Sequence, residues 1–585
     1  MHKRNHRLID GKISKYLLPS VLLTMALQLG NIVDTILVGN LLGTEAMSAI
    51  RMCVPVMTIE QVAGYGLGSG AAICAGILLG RRDREGASAV FSVAFWLTLA
   101  AGILFTICAF FLSGPIARLL AGDSELAVLT EQYLFIWMLG GPVIGVGLFL
   151  VNFMGVESHP ELSSAYIILA NVINLVLDYI FLAWTPLGVT GAAISTMLGY
   201  LLAMAVFVKY FKSKNKMLTL GAPESLTPLK GAVKAGAPTL VYMGMNFVQS
   251  LVSNAIILHL LGANGITIYT VCVNIMLITL MVTGGVIRVI PSLAGVLYGE
   301  KDYYGLRAVC VRTIKNTAAV TAVLLAVVLV FTRQLAGIFG IREMPLLGYT
   351  IPSMRCFMLC LPFYVWNKFL TSYYQSIEET KQASLITFLQ YGVISIPAVF
   401  IGITAGLKLG GSGFNAMGLS FLISEGMTAL ISAVFRRIKY PGKSVFILPG
   451  ENMGDCLDLT IPAGIDEAVA ASRQIQQFGL DRGVEDGLMN RMAVAAEEMT
   501  VNAIAYGGKS SEWIDLCLMV EPEALRLRIR DNGVPFDPTT YEFDGDVYDI
   551  SGIEIVKRLA SKISYVRAID LNNTVIEIGR EEKEA

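Results

Sequence analysis

Long apolar stretches recur along the first three quarters of the chain, at about 17–39, 52–79, 88–112, 132–154, 163–184, 188–211, 236–260, 266–297, 314–332, 347–375, 384–407 and 414–435. Each can cross ~30 Å of hydrocarbon at ~1.5 Å per residue. The pattern predicts twelve spanning helices, an even number that leaves both ends on one side. Past Pro441 it changes to short alternations and charged helices. Leu457–Ile461 reads as a strand, Ile465–Phe478 and Gly487–Tyr506 as helices, and Trp513–Val520 and Leu525–Arg530 as strands joined by a turn at Pro522.

Composition agrees. Of 585 residues, 55% are hydrophobic and 15% charged, with a mean hydropathy of +0.64, which excludes an ordinary soluble globular protein. Residues 1–450 hold 31 Lys+Arg against 19 Asp+Glu, whereas 451–585 hold 13 against 26. A basic membrane part and an acidic soluble module are two physical environments. With the N-terminus inside, the inward loops gather most of the basic residues, and the outward ones gather Arg51, Arg118, Arg333, Arg342 and Lys408. That bias predicts a multi-pass plasma (inner) membrane protein with both termini cytoplasmic. No cleaved leader is expected, because the basic Lys3–Lys15 region precedes a span without a small-residue cleavage site. The nine cysteines have no metal-ligand spacing and read as small apolar packers.

The two halves match at an offset of 219 residues: Pro19 with Pro238, Gly43 with Gly262, and Leu79-Gly80-Arg81-Arg82-Asp83 with Tyr298-Gly299-Glu300-Lys301-Asp302. Six helices per copy keep the copies in one orientation, as in transporters whose two bundles rock about a midplane site. The expected organisation is a six-helix bundle in 1–219, a second in 220–440, a linker in 441–454 and a soluble domain in 455–585. The runs Leu17-Leu18-Pro19, Asn31 to Gly39, Leu42-Gly43 and Asn171 to Asp178 resemble the multidrug and toxic compound extrusion (MATE) family, over roughly residues 8–440.

Asp34 shares one side of the first span with Thr24, Gln28, Asn31 and Thr35, and Asn171, Asn174 and Asp178 share one face of the fifth. A carboxylate at membrane depth costs several kcal/mol unless it is compensated, so the pair suggests cation or proton coupling, the alternative being an interhelical hydrogen bond. The family resemblance implies that Asp34, Asn174, Asp178 and Thr196 bind Na⁺ or H⁺. Ser253 and Pro397 stand where the second half would need acids, so coupling is expected in the first bundle only. Glu60, Arg288, Arg355, Lys368 and Glu425 are further charges at or near membrane depth, with pairing that the sequence leaves open.

In the soluble part, Glu498 and Asn502 lie four apart on a helix, where an amide oxygen can ligate Mg²⁺ and a carboxylate can take a proton from a hydroxyl. Asp531 ends a strand and offers two acceptors to a purine amino group, and Gly533 admits close approach. Glu497 to Ala503 and Arg530 to Pro538 are spaced like the nucleotide boxes of the GHKL ATPase superfamily and most resemble its anti-sigma-factor serine kinases. That resemblance implies an α/β sandwich binding ATP and Mg²⁺, with Glu498 catalytic, Asn502 on the metal, Asp531 at adenine, Gly552 in the phosphate loop and Thr574 supporting the adenine side. Glu554, in place of a second glycine, and the acidic lid Glu542, Asp544, Asp546 and Asp549 depart from the pattern, so binding is better supported than catalysis.

The reading is a Na⁺- or H⁺-coupled antiporter exporting small organic or drug-like compounds, in contact with membrane lipid and not nucleic acid, regulated by a nucleotide-binding domain. Two alternatives stay open: a membrane-tethered signalling protein whose domain acts as a serine kinase or ATPase on, or sequesters, a partner such as an anti-sigma-factor antagonist, and a lipid-linked precursor flippase. The basic tether Arg436–Lys443 is expected to dock the acidic domain on the inner loops around Arg81 and Lys212.

Overall fold

A computed structural model describes residues 5, 7–42, 44–121, 125–212, 216, 218–223, 225–339, 341–446, 456–507, 512–541 and 552–579; the side chains of 31–36 lie outside the description, and with them the expected roles of Asn31 and Asp34. Among the described residues, eleven helices are long and apolar enough to cross a membrane. A bent pair, Leu126–Leu139 and Gly141–Val156 at 58°, supplies the twelfth. Helices are what such sequences must form in lipid, because each backbone N–H and C=O is then satisfied within its own segment.

The duplication is visible atom by atom. Asp83 Oδ1 accepts from Gly86 N at 2.7 Å, and Asp302 Oδ1 from Gly305 N at 3.0 Å, capping the third span of each half in the same way. Arg82 and Lys301, beside these caps, both have positive φ, 62° and 57°. At Gly262 a φ of 67° breaks the chain between the seventh span, Thr227–Gly262, and the eighth, Asn264–Gly299, a conformation that a Cβ would resist.

The soluble domain is a five-stranded antiparallel sheet in the order β1-β2-β3-β5-β4, with β1 Cys456–Pro462, β2 Trp513–Val520, β3 Ala524–Asp531, β4 Lys562–Ala568 and β5 Leu571–Gly579. Helices Ile465–Leu480, Asp486–Tyr506 and Gly552–Leu559 cover one face with an apolar core that includes Leu527, Ile529 and Ile576. Alternation along β3 and β5 turns Arg528, Arg530 and Asn573 to the opposite face. In a free domain that face would meet water. Here it is buried against the membrane part, leaving Arg530 at 1% exposure.

Candidate functional site

In the first bundle, Asp178 is fully buried on the fifth span, Pro160–Trp184, where Ser195 of the neighbouring helix Gly188–Ala203 donates its hydroxyl to Oδ1. Asn174, one turn earlier, donates Nδ2 to Ser195 Oγ at 3.3 Å and Thr196 Oγ1 at 3.1 Å. The expected residues Asn174, Asp178 and Thr196 thus meet at one place, together with Ser195, which the sequence reading passed over. Ser195 falls beside Thr196 in a small-residue run, a weak signal. Asn171 donates to the Ala26 carbonyl at 2.6 Å, tying this span to the first helix, Arg7–Leu42.

Between the bundles lies a cavity of ≈ 610 Å³, lined from the first half by Thr24, Gln28 and Tyr65 and from the second by Gln249, Arg288 and Lys368. Arg288 donates to Tyr65 Oη at 2.6 Å and to Asn152 Oδ1 at 3.4 Å. Lys368 Nζ lies 3.5 Å from the centroid of the Tyr242 ring. Of the other charges at depth, Glu60 is buried and accepts from the Trp137 indole, whereas Arg355 is exposed and reaches Thr332 Oγ1 at 3.4 Å.

In the soluble domain, Glu498 and Asn502 project from Asp486–Tyr506 to the start of Gly552–Leu559, and a Cβ on Gly552 would collide with the Glu498 carboxylate and stand 3.4 Å from Asn502 Nδ2. Asn502, Asp531 and Thr574 line one small cavity, closed by Tyr506 and Phe536, whose rings stack at 5.2 Å. Asp531 Oδ1 accepts from Gly533 N and from Asn572 Nδ2, both at 2.8 Å. Burial pushes the Asp531 carboxyl above its usual pKa, against the lowering effect of the Asn572 and Gly533 donors and of the nearby Arg567 charge. All the expected nucleotide residues therefore converge, but the cavity is only ≈ 20 Å³, room for about one water. A purine requires the Tyr506–Phe536 stack to part. Asn502 Nδ2 is buried without a partner among the described residues, and Gly533 could not carry a Cβ, which would stand 2.6 Å from Gly507 Cα. An orphaned amide N–H donor and two positions held to glycine fit a ligand with acceptor oxygens, such as a nucleotide. The acidic lid residues Glu542, Asp544, Asp546 and Asp549 lie outside the described residues.

The domain docks on the loop that holds Arg81, as net charge suggested, but not through Arg81 itself. Arg81 pairs with Glu378 of the other half at 2.5 Å, and the contact is made instead by Arg82, Lys12 and Lys15 together with the acids Glu300 and Asp302. Arg530 donates to Glu300 and, at 2.7 Å, to Asp302 Oδ2, while Arg528 lies 3.5 Å from Asp302 Oδ1; all four side chains are almost wholly buried. Asn573 links the halves, accepting from Arg82 at 3.2 Å and donating to Glu300 at 2.5 Å. At the β4–β5 turn Asp570 accepts from Lys12 at 3.1 Å and Lys15 at 2.9 Å, and its own N–H reaches Ser158 Oγ at 2.7 Å. Burial would raise the Asp570 pKa, but the hydrogen bond from Lys15 and the charges of Lys12, Lys15 and Arg567 hold it well below the carboxylate range. The acids Glu300 and Asp302 had served only as landmarks of the repeat.

Two six-helix repeats around a shared cavity, with a buried polar cluster in one of them, define a polytopic membrane transporter carrying an ATPase-type domain. The chain belongs to the MatE family, whose model matches residues 19–180 and 238–401, and residues 461–578 match the histidine kinase-like ATPase domain. It is 25% identical over 408 residues to the multidrug export protein MepA of Staphylococcus saprophyticus, covering 68% of this chain and 87% of that protein. To MepA of Staphylococcus aureus strain MRSA252 it is 23% identical over 388 residues, covering 66% and 85%. Solved structures with the same fold include an outward-facing multidrug resistance MATE family transporter of the MOP superfamily, at TM-score 0.68 and 21% identity over 75% of this chain and 98% of that one. Another is a MOP superfamily transporter from Pyrococcus furiosus described as having a binding pocket of reverse polarity, at TM-score 0.66 and 21% identity over 74% and 96%.

Proposed function

We propose that the protein is a multidrug-type exporter driven by Na⁺ or H⁺ through Asp34, Asn174, Asp178 and Thr196, and that its soluble domain regulates it from the cytoplasmic side by binding ATP. The observation that carries the coupling role is the fully buried Asp178 carboxyl beside Asn174, Ser195 and Thr196, four oxygen-bearing side chains on two adjacent helices. A hard cation takes such oxygens, and a proton takes the carboxylate. The names of the curated relatives support export of small organic compounds.

The regulatory reading is supported by a continuous polar chain. Asp531 is held by Asn572 and Gly533; Arg567 donates to Asn572 Oδ1 at 2.8 Å and to the Gly533 carbonyl at 3.1 Å; and its other nitrogen donates at 2.5 Å to Asp570, which grips Lys12 and Lys15. A ligand at Asp531 would therefore be linked to the first helix through three side chains, Asn572, Arg567 and Asp570. Bound Mg²⁺–ATP would supply an electrophilic phosphate, with Asn502 as a metal ligand and Glu498 the nearby base. Its effect on transport is limited to its differential affinity for docked and free domain. Efflux from proteoliposomes under imposed Na⁺ and pH gradients, with and without ATP, tests both parts. Gradient-independent transport would sink the coupling role, and identical rates with and without ATP the regulatory one.

A further inference from the structure

We propose that the cavity between the bundles is a binding site for an amphipathic organic anion, whose carboxylate, sulfonate or phosphate group meets the Lys368 ammonium and the Arg288 guanidinium. The proposal names the substrate class of the exporter reading and rests on it for transport, though not for binding.

Among the described residues, three charged side chains line the cavity: Arg288, Lys368 and Glu425. They do not face it equally. Glu425 is 6% exposed, and its Oε2 accepts from Asn367 Nδ2 and Gln390 Nε2, both at 2.9 Å, so its carboxylate is turned into the protein and acts on Lys368 only from beyond ion-pair distance. Arg288 and Lys368 each keep part of their surface open. Neither has a carboxylate within ion-pair distance among the described residues. The Lys368 ammonium instead rests among three tyrosine rings, 3.5 Å from the centroid of Tyr242, 5.1 Å from Tyr391 and 6.0 Å from Tyr364. Ring faces attract the ammonium but cannot neutralise it, which leaves a charge to be matched from the cavity side.

Arg288 spends two nitrogens on Tyr65 and Asn152, groups of the opposite bundle, and a guanidinium has five N–H donors in all. The rest can take an oxyanion. The rest of the polar lining among the described residues, which includes Thr24, Gln28, Asn246 and Gln249, is neutral, and Leu23, Ile73, Leu277, Phe357 and Phe421 offer apolar wall. A volume of ≈ 610 Å³ suits a ligand of drug size with one charged end. An organic cation placed there would meet like charge in a low-dielectric setting, which disfavours it strongly.

Binding by the full-length protein in lipid nanodiscs can be followed with three probes sharing one fluorophore: dansylglycine, an anion; dansylamide, neutral; and dansylcadaverine, a cation. Dansylglycine is expected to bind at least about tenfold tighter than dansylamide, and dansylcadaverine weakest. Lys368→Gln and Arg288→Gln should each remove most of that preference while leaving dansylamide affinity unchanged, and Lys368→Arg should retain it, which separates lost charge from lost folding. The proposal is overturned if the cation binds as tightly as the anion, if the preference survives both Gln substitutions, or if no probe binds. Charge-selective binding without gradient-driven movement of dansylglycine supports the site and sinks the exporter reading. Asp178-dependent movement of dansylcadaverine without any anion preference does the reverse.

Discussion

Gly80 and Gly299 occupy the same position in the two repeats and touch each other: a Cβ on either would stand 2.9 Å from the other's Cα, and nearer still to the Val296 or Ile77 carbonyl. Two helix backbones meet there with no side chain between them, as small residues permit in membrane proteins. Leu79 and Leu297 beside them are fully buried. The contact lies beside the residues that hold the soluble domain, whose sheet is bonded to Arg82 on one side and Glu300 and Asp302 on the other, and we expect it to close this end of the helical part.

Gly80→Val should therefore hold this end apart. Overpacking of a close contact costs roughly 1–3 kcal/mol, enough to shift the balance of open and closed states by about fivefold to a hundredfold. In a background with the other cysteines replaced, alkylation of Cys74, half-buried on the same helix, should speed up with reagent applied from the domain side. An unchanged rate would show that the glycine pair is not a seal.

Asp178→Asn keeps the shape of the side chain and removes its charge and proton. Gradient-driven efflux should fall at least about tenfold with insertion unaffected, because the amide offers a cation one neutral oxygen in place of a carboxylate. Ser195→Ala, which removes a donor and leaves the acid, should have a smaller effect. Equal loss in both, with less folded protein, would assign the cluster to packing.

Arg530→Ala removes the arginine that both Glu300 and Asp302 hold in a buried interface and leaves only the longer 3.5 Å contact of Arg528 with Asp302, and breaking a buried pair typically costs about 3–5 kcal/mol. The domain should undock and the 441–454 linker become readily cleaved by protease. Adding Glu300→Gln and Asp302→Asn to Arg530→Ala should restore much of the protection. Failure of that restoration would mean that the acids are not what the arginine offsets.

Docking should also depend on pH through Asp570. Its pKa is lowered when docked, so the docked state binds fewer protons than the free one, and the contribution is fully present above the ordinary carboxylate value, ~4, and lost as pH falls below it toward the lowered value. Asp570→Asn should flatten that fall as read by linker protection. For Asp531 the shift is upward, so nucleotide binding that uses its charged form should weaken as pH drops through the raised pKa, and calorimetry on the full-length protein across mildly acidic pH would read it.

Truncation before residue 445 should leave Asp178-dependent efflux in place and remove any response to ATP. Loss of transport in a truncated protein that is folded and inserted would make the domain part of the transport engine, because the sheet also buries its Ala568, Ile569 and Leu571 among the apolar residues of the second bundle.

Much of this was legible along the chain, because lipid leaves the backbone few choices and a duplicated sequence repeats its landmarks. The twelve spans follow from apolar length, the repeat of Asp83 in Asp302 from the offset of 219, and the faces shared by Asn174 with Asp178 and by Glu498 with Asn502 from spacing of four on a helix, whereas Thr196, Gly552 and Thr574 were implied only by the family resemblances. The strand β4 and the helix Gly552–Leu559 escaped because both are short and carry charges among their apolar positions.

Net charge misjudged which residues make the docking contact, since a sum of charges does not say which face of a sheet carries them. The acidic domain turns two arginines toward a basic membrane part and finds there its two acids, Glu300 and Asp302. Which charges are buried and which look into the cavity was likewise decided only in three dimensions, where Asn367 and Gln390 close over Glu425 while Lys368 and Arg288 stay open to the cavity. Sequence periodicity fixes which side chains share a face, because that is a property of one helix or strand. What covers that face depends on contacts between residues hundreds of positions apart, and only the packed tertiary structure sets those.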